Sequence, residues 1–359
     1  MVMKLADRPP QLTLDNYREI LVRLPTKDVL RCGTICMEWR SITTNPAFLA
    51  DHARRQEADQ VLLYKYLHRQ FPSNDRWVIV DIVLEALHVS GDEARRQRLI
   101  HYPNKTRDWL LIASSYGVLL FRKGEGLYLL CNPLTRKWAD LPRLTVALRR
   151  DKIIQDKEYA FYFHQPSNEY RLLCRLTMPV PLHGHLHWPP HQVSGSDQTS
   201  MVVFDMRLET FTEMAGPPTT TGTLVKLFDM DGLLVGADFG KEDHIDLWFL
   251  ESYGKAGRWE LRHQVAIPSG PYNASIILGP LDLLSVAAAG NSHGNVMLGS
   301  TYGLVVYNVK TRQIVKTINT LVTTDNNDVV VSRHMFRANL VQHPHFAMRP
   351  SAELPFVHF

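Results

Sequence analysis

No stretch of this chain stays apolar for the roughly 18 residues that a membrane span needs. Its two longest apolar segments are broken by charge, 78–89 by Asp81 and Glu85 and 276–289 by Asp282. The first ten residues carry Lys4, Asp7 and Arg8 and no apolar core, so a secretory signal is not expected. Cysteine is scarce. Cys32, Cys36, Cys131 and Cys174 show no paired framework, which points to a soluble protein in a reduced, intracellular compartment. An excess of one charge is missing as well: 40 Lys and Arg against 36 Asp and Glu leave +4, with no long basic block. Neither nucleic acid nor a membrane is therefore an expected partner. There is no Gly-x-Ser-x-Gly elbow and no glycine-rich loop followed by Lys-Ser/Thr, so two common catalytic and phosphate-binding sites are excluded.

What is present is a chain of 359 residues, 45% hydrophobic, long enough for about two domains at roughly 150 residues each. Residues 12–55 read as helix. Leu14, Tyr17, Ile20, Leu21 and Leu24 recur at helical spacing up to Pro25, which must end the first helix. Thr26 then offers an N-cap hydroxyl, with Asp28 in the first turn and Val29 and Leu30 as apolar positions. Ile35, Trp39 and Ile42 mark a third helix. Asn45-Pro46 opens a fourth, an Asn cap followed by Pro at the first helical position. Four short helices in so few residues make a marginal bundle, since domains near 40 residues usually need outside support. Its large apolar residues outnumber the interior it can build, so some should stay exposed unless a partner covers them. That argues for a docking module.

From about residue 60 the texture changes to short β-branched or aromatic runs punctuated by Gly, Pro, Asn, Asp and Ser, among them VLLYKY, VLLF, LYLLC, MVVFDM and GLVVYNV. Partial repeats appear at 126–138, 200–211 and 302–314: an apolar strand, a turn led by Asn132, Asp205 or Asn308, and a returning strand. The expected architecture is a small helical bundle followed by an all-β propeller domain at 60–350, with length for six or seven blades; a pair of β-sandwiches is the alternative.

The N-terminal segment resembles the F-box, especially as it occurs in plant proteins. The matching pieces are Asp15, Glu19-Ile20-Leu21, Arg23-Leu24-Pro25, Lys27, Ile35-Cys36, Trp39-Arg40-Ser41 and Asn45-Pro46-Ala47-Phe48. Thr13 stands where the family usually has proline, and Asn16 where an apolar residue is common. The remainder resembles the F-box-associated, kelch-like domains of such proteins, above all in LLFRKGEGLYLLCNPLTRKWADLP. The resemblance implies a non-catalytic substrate receptor of an SCF-type cullin ubiquitin ligase, located in the cytoplasm and/or nucleus. The F-box would bind a Skp-type adaptor and, through it, the cullin. The β-domain would recruit a protein target that the sequence does not identify. Leu12, Leu14, Ile20, Leu21, Leu24, Pro25, Val29, Leu30 and Trp39 are the expected adaptor contacts. A glycan-binding propeller or an enzyme acting outside the ligase is the alternative.

Other constellations have simpler readings beside a chemical one. His183, His185, His187 and His191 would turn three imidazoles to one side if they lay in one strand, which would suit Zn or Cu. Pro179, Pro181, Pro189 and Pro190 flank them, so a surface loop is the favoured reading and no metal or other cofactor is expected. Cys32 and Cys36, one helical turn apart, read as core, as do Cys131 and Cys174. Trp138, Trp248 and Trp259 could stack on a sugar but read more simply as blade packing. The run Arg149-Arg150-Asp151-Lys152 reads as a solvated loop, with an acidic or phosphorylated target as the sharper alternative.

Overall fold

The structure, a computed structural model, describes residues 12–55, 60–71, 76–90, 93–103, 110–124, 126–143, 158–164, 166–167, 169–175, 179–192, 199–219, 225–241, 243–253, 257–266, 287–290, 294–300, 303–319, 328–340 and 346. The chain divides into two compact units, Met1–Gln56 with Ala338–Pro344, and Glu57–Arg337 with His345–Phe359. Among the described residues no helix is long and apolar enough to cross a membrane.

The first unit contains α1 (Leu14–Leu21), α2 (Thr26–Cys32), α3 (Met37–Thr44) and α4 (Pro46–Arg55). The fourth helix starts as its sequence demands: Asn45 Oδ1 accepts from the Ala47 and Phe48 amides at 2.9 and 3.3 Å. Two expected starts move. Pro25, not Thr26, is the cap of α2, and its carbonyl accepts from the Asp28 and Val29 amides; Thr26 is the first helical residue and is buried. Ile35 lies before α3 and is exposed, because Cys36 caps that helix with Sγ accepting from the Trp39 amide at 3.4 Å. Cys36 is therefore exposed rather than core, whereas Cys32 and Cys131 are buried as expected. A Cβ at Gly33 would lie 2.8 Å from Thr43 Oγ1, so α2 and α3 approach closely because that position has no side chain.

The second unit is all-β. Its strands are β1 (Gln60–Phe71), β2 (Arg76–Ser90), β3 (Glu93–Pro103), β4 (Leu110–Ser115), β5 (Val118–Gly124), β6 (Leu127–Asn132), β7 (Lys137–Asp140), β8 (Glu158–His164) and β9 (Glu169–Arg175). They continue as β10 (Val180–Leu182), β11 (His185–His187), β12 (His191–Gln192), β13 (Thr199–Asp205), β14 (Thr210–Ala215), β15 (Val225–Met230), β16 (Leu233–Asp238), β17 (His244–Ser252) and β18 (Arg258–Ala266). The last are β19 (Ala287–Gly290), β20 (Asn295–Ser300), β21 (Gly303–Asn308), β22 (Gln313–Asn319) and β23 (Asp328–Phe336). Five sheets of four or five antiparallel strands form a propeller, in the orders β23-β1-β2-β3, β4-β5-β6-β7, β10-β11-β13-β12 with β14 on β13, β15-β16-β17-β18, and β19-β20-β21-β22. The hairpin β8-β9 lies between the second and third blades. A propeller is what the sequence predicts, with five such blades among the described residues where length alone allowed six or seven.

The core sits between blades. Phe228, Val235 and Leu247 of the fourth blade pack on Val296, Leu298 and Val305 of the fifth; Leu63 and Leu87 of the first pack on Met297 and Leu304. Because both faces of each blade are covered, inner strands such as β5 are buried at Val118, Leu119, Leu120 and Phe121 alike. They read as unbroken apolar runs instead of alternating ones. Outer strands such as β18 are exposed along most of their length.

The three partial repeats are one structural device used three times, the turn between the third and fourth strands of a blade. Asn132 Oδ1 accepts from the Leu134 and Thr135 amides, Asp205 Oδ1 from Arg207 and Leu208, and Asn308 Oδ1 from Lys310 and Thr311. Four residues after each acceptor, Arg136, Glu209 and Arg312 adopt φ of 54°, 54° and 56°. The side-chain oxygen stands in for a backbone acceptor and lets an ordinary residue complete the reversal in the left-handed region. Asn132 is buried, so Asn132→Ala should cost about 1–2 kcal/mol in urea unfolding by orphaning two amides, whereas Arg136→Gly should stay within about 0.5 kcal/mol of wild type.

Candidate functional site

The helical unit combines a closed interior with an apolar exterior. Leu21, Val29 and Phe48 have no exposed surface. Arg18 reaches Asp51 at 2.6 Å, joining α1 to α4, and His52 Nε2 donates to the Leu24 carbonyl at 3.0 Å. Burial holds the His52 imidazole below its usual pKa, which suits a neutral ring stacked on Phe48. Tyr17 and Trp39 pack ring against ring at 5.7 Å, joining α1 to α3.

Outside this interior lie Leu12, Leu14 (60% exposed), Ile20, Leu30, Ile35 (66%) and Met37 (88%). Six large apolar side chains in 26 positions is a concentration that lone surface hydrophobes do not produce. Of the expected adaptor contacts, Leu12, Leu14, Ile20, Pro25 and Leu30 are exposed, and Leu24 and Trp39 are half-buried. Leu21 and Val29 are corrected: each is 0% exposed and has no surface left for a partner. Ile35 and Met37 are exposed apolar residues outside the expected set. Ile35 was assigned to a helix face it does not join, and Met37 stands at the first helical position, where helical spacing does not announce an apolar patch.

Thr13 and Asn16, the two departures from the F-box pattern, form a matched pair. Thr13 Oγ1 accepts from the Asn16 amide at 3.3 Å, and Asn16 Oδ1 accepts from the Thr13 amide at 3.2 Å. The Thr13 hydroxyl also bonds Asn16 Oδ1. This reciprocal capping box satisfies amides at the start of α1 that would otherwise have no partner in the helix.

In the β unit the histidine cluster does not form one strand. His183 and Gly184 are a two-residue turn with φ of 49° and 79° that joins β10 to β11. The surface-loop reading is corrected: Val180 pairs with His187 and Leu182 with His185. His185 and His187 share a side of β11, yet His187 is wholly buried while His191 is exposed on β12. His187 Nδ1 donates to the Val180 carbonyl at 3.2 Å, and Tyr253 Oη donates to its Nε2 at 3.1 Å, so both ring nitrogens are engaged. Among the described residues no group of three or more His, Cys, Asp or Glu side chains is arranged to hold a metal.

A second polar cluster lies where β16 meets β17. Asp238 and Asp246 are directly opposed and both buried. Burial raises the Asp238 carboxyl, against the bond it accepts from the Gly240 amide. Burial acts the same way on Asp246, but hydrogen bonds from Lys241 and Gln264 outweigh it and hold that carboxyl low. Lys241 Nζ is 2.8 Å from Asp246. Lys241 thus offsets the charge of Asp246, whose carboxylate also lies 3.3 Å from His244 Nε2, and the two opposed carboxyl groups have pKa values pushed in opposite directions. Trp259 Nε1 donates to the Ala215 carbonyl, and Trp138 is buried, so both serve blade packing. The Arg149–Lys152 run and the Cys174 side chain lie outside the described residues.

Comparison with known proteins adds three findings. Residues 10–51 match the F-box domain family. Over 297 residues, 70% of this chain and 78% of the relative, the chain is 20% identical to an F-box/kelch-repeat protein of Arabidopsis thaliana. Over 150 residues, 40% of this chain and 35% of the relative, it is 27% identical to a putative F-box protein of the same plant.

His187 gives the propeller a pH dependence. Burial, chiefly, with smaller contributions from His185 and His183, takes its pKa down to about 4 against the bond to Val180. As pH falls below about 6.5 the unfolded chain gains a proton at this ring that the folded chain refuses, so stability is lost between about 6.5 and 4. Between pH 7 and 4.5 this group alone should remove about 2–3 kcal/mol, and urea unfolding of His187→Gln should show a correspondingly shallower fall than wild type.

Proposed function

We propose, from the premise that the chain carries an N-terminal F-box domain and has plant F-box/kelch-repeat relatives, that it is the non-catalytic substrate receptor of an SCF-type ubiquitin ligase. F-box domains generally bind Skp1-type adaptors, and an F-box joined to a propeller supports a substrate-adaptor role. The finer reading is that this chain's helical unit binds a Skp-type adaptor, and through it a cullin, while the propeller recruits a protein target. Cytoplasm and/or nucleus is the proposed location.

The observation that carries this reading is the exposed apolar set of Leu12, Leu14, Ile20, Leu30, Ile35 and Met37 within the matched F-box segment. Covering a half-exposed Leu or Ile is worth roughly 1–2 kcal/mol, so a few of them suffice to anchor an interface. The receptor itself breaks no bond. It raises the effective concentration of a target lysine at a ubiquitin-conjugating enzyme, converting a bimolecular encounter into a local one. Bringing two proteins together requires two separate surfaces, which the two units supply.

The test is capture of a purified Skp-type adaptor by the full chain. Leu14→Glu/Ile20→Glu changes exposed side chains only, so helicity should persist while capture falls at least about tenfold. Equal capture by the variant, or none by wild type, would remove the adaptor reading.

A further inference from the structure

The helical unit includes a segment from the far end of the chain. Ala338–Pro344 belongs with Met1–Gln56, and within it Asn339 and Leu340 are only 5% and 3% exposed. One residue, Arg337, separates this segment from Phe336, the last residue of β23. β23 is the strand by which the C-terminal part of the β unit joins the first blade, through its antiparallel pairing with β1. In that pairing Gln60 opposes Phe336. The chain therefore leaves the helical unit into one strand and returns to it from that strand's direct partner.

A unit with so few residues is short of interior, so a segment that groups with it and carries two buried residues bears on its stability. We propose that the module bearing the exposed apolar set is composite, built from α1–α4 together with Ala338–Leu340, so that adaptor binding requires β23 to be seated in the first blade. A chain whose ring is still open, or whose last strand has been lost, presents an incomplete module and is not assembled into a ligase. The partner half of this inference rests on the proposed adaptor role; the structural half does not.

The experiment uses the full chain with Leu340→Glu and the milder Leu340→Ala. Amide hydrogen exchange in α1–α4 is measured with β15–β17 as internal reference, beside capture of a purified Skp-type adaptor. The expected result is exchange at least about tenfold faster in α1–α4 for Leu340→Glu, a smaller acceleration for Leu340→Ala, unchanged β15–β17, and capture reduced in step. If Leu340→Glu also loosens β15–β17, Leu340→Ala decides. Exchange in α1–α4 within about twofold of wild type in both variants overturns the composite module, whatever the adaptor does. Faster exchange with undiminished capture overturns the dependence of binding on it. Faster exchange in a protein whose wild type captures no adaptor leaves the composite module standing and removes the adaptor role instead.

Discussion

Pairing between β1 and β23 ties together the two ends of the β unit, and most other features of that unit presuppose it. Blades have no independent core: each buries its faces against its neighbours, as Phe228 and Leu247 do against Val296 and Val305. A row of such blades with free ends would leave two apolar faces in water. Supplying one blade from both ends of the chain removes that problem, since Val329 and Val331 of β23 and Leu63 of β1 then enter one cluster with Met297 and Leu304 of the fifth blade. His334 adds a contact on the other side, its Nε2 donating to the Leu111 carbonyl of β4 at 3.1 Å. The cost is kinetic. The pairing joins residues about 270 positions apart, so the ring can close only after nearly the whole chain exists.

That same separation explains what was legible in the sequence. Local signals were read well. The apolar runs fell on strands, Asn45-Pro46 fell on a helix start, and the repeats led by Asn132, Asp205 and Asn308 fell on equivalent turns. β23 was not read as a strand, because its sequence DVVVSRHMF interrupts its apolar residues and its partner lies at the other end of the chain. β3 was missed for a different reason. It is a blade's outermost strand whose first half carries the exposed Arg95, Arg96 and Arg98, so only its second half, with the buried Leu99, Ile100 and Tyr102, has an apolar signature. The β10–β11 hairpin was mistaken for a loop although His183-Gly184 carries a turn signal of its own. The prolines at 179, 181, 189 and 190 mask it, yet only Pro181 lies in a strand, the edge strand β10, where proline is tolerated.

The helical unit shows how periodicity misleads in very short helices. Ile35, Trp39 and Ile42 have helical spacing, yet capping chemistry at Cys36 starts α3 later and leaves Ile35 outside. With helices of seven to ten residues, the identity of the cap decides which side chains reach the interior. The same local chemistry explains Thr13 and Asn16. Judged singly, each departs from the F-box pattern. Judged together they are donor and acceptor for each other's backbone, and a pair of changes that would each weaken the start of α1 instead secures it.

Secure helix ends matter most in a unit that gives so much of its apolar surface to the outside. Leu14, Ile35 and Met37 contribute little to holding the helices together while they remain exposed, so stability must come from what is left. What is left is a short list: Leu21, Val22, Val29, Cys32, Phe48 and Leu49 in the interior, the Tyr17–Trp39 ring contact, the Arg18–Asp51 pair, the His52–Leu24 bond and the caps. The ion pair is more than one-third exposed on both sides and counts for little in water. His52 counts for more, because a buried imidazole bonded to the Leu24 carbonyl fixes the connection between α1 and α2 where the chain turns at Pro25. A module this lean can offer an apolar face to a partner only if its remaining contacts are all made, which is why two buried residues returning from the end of the chain carry weight beyond their number.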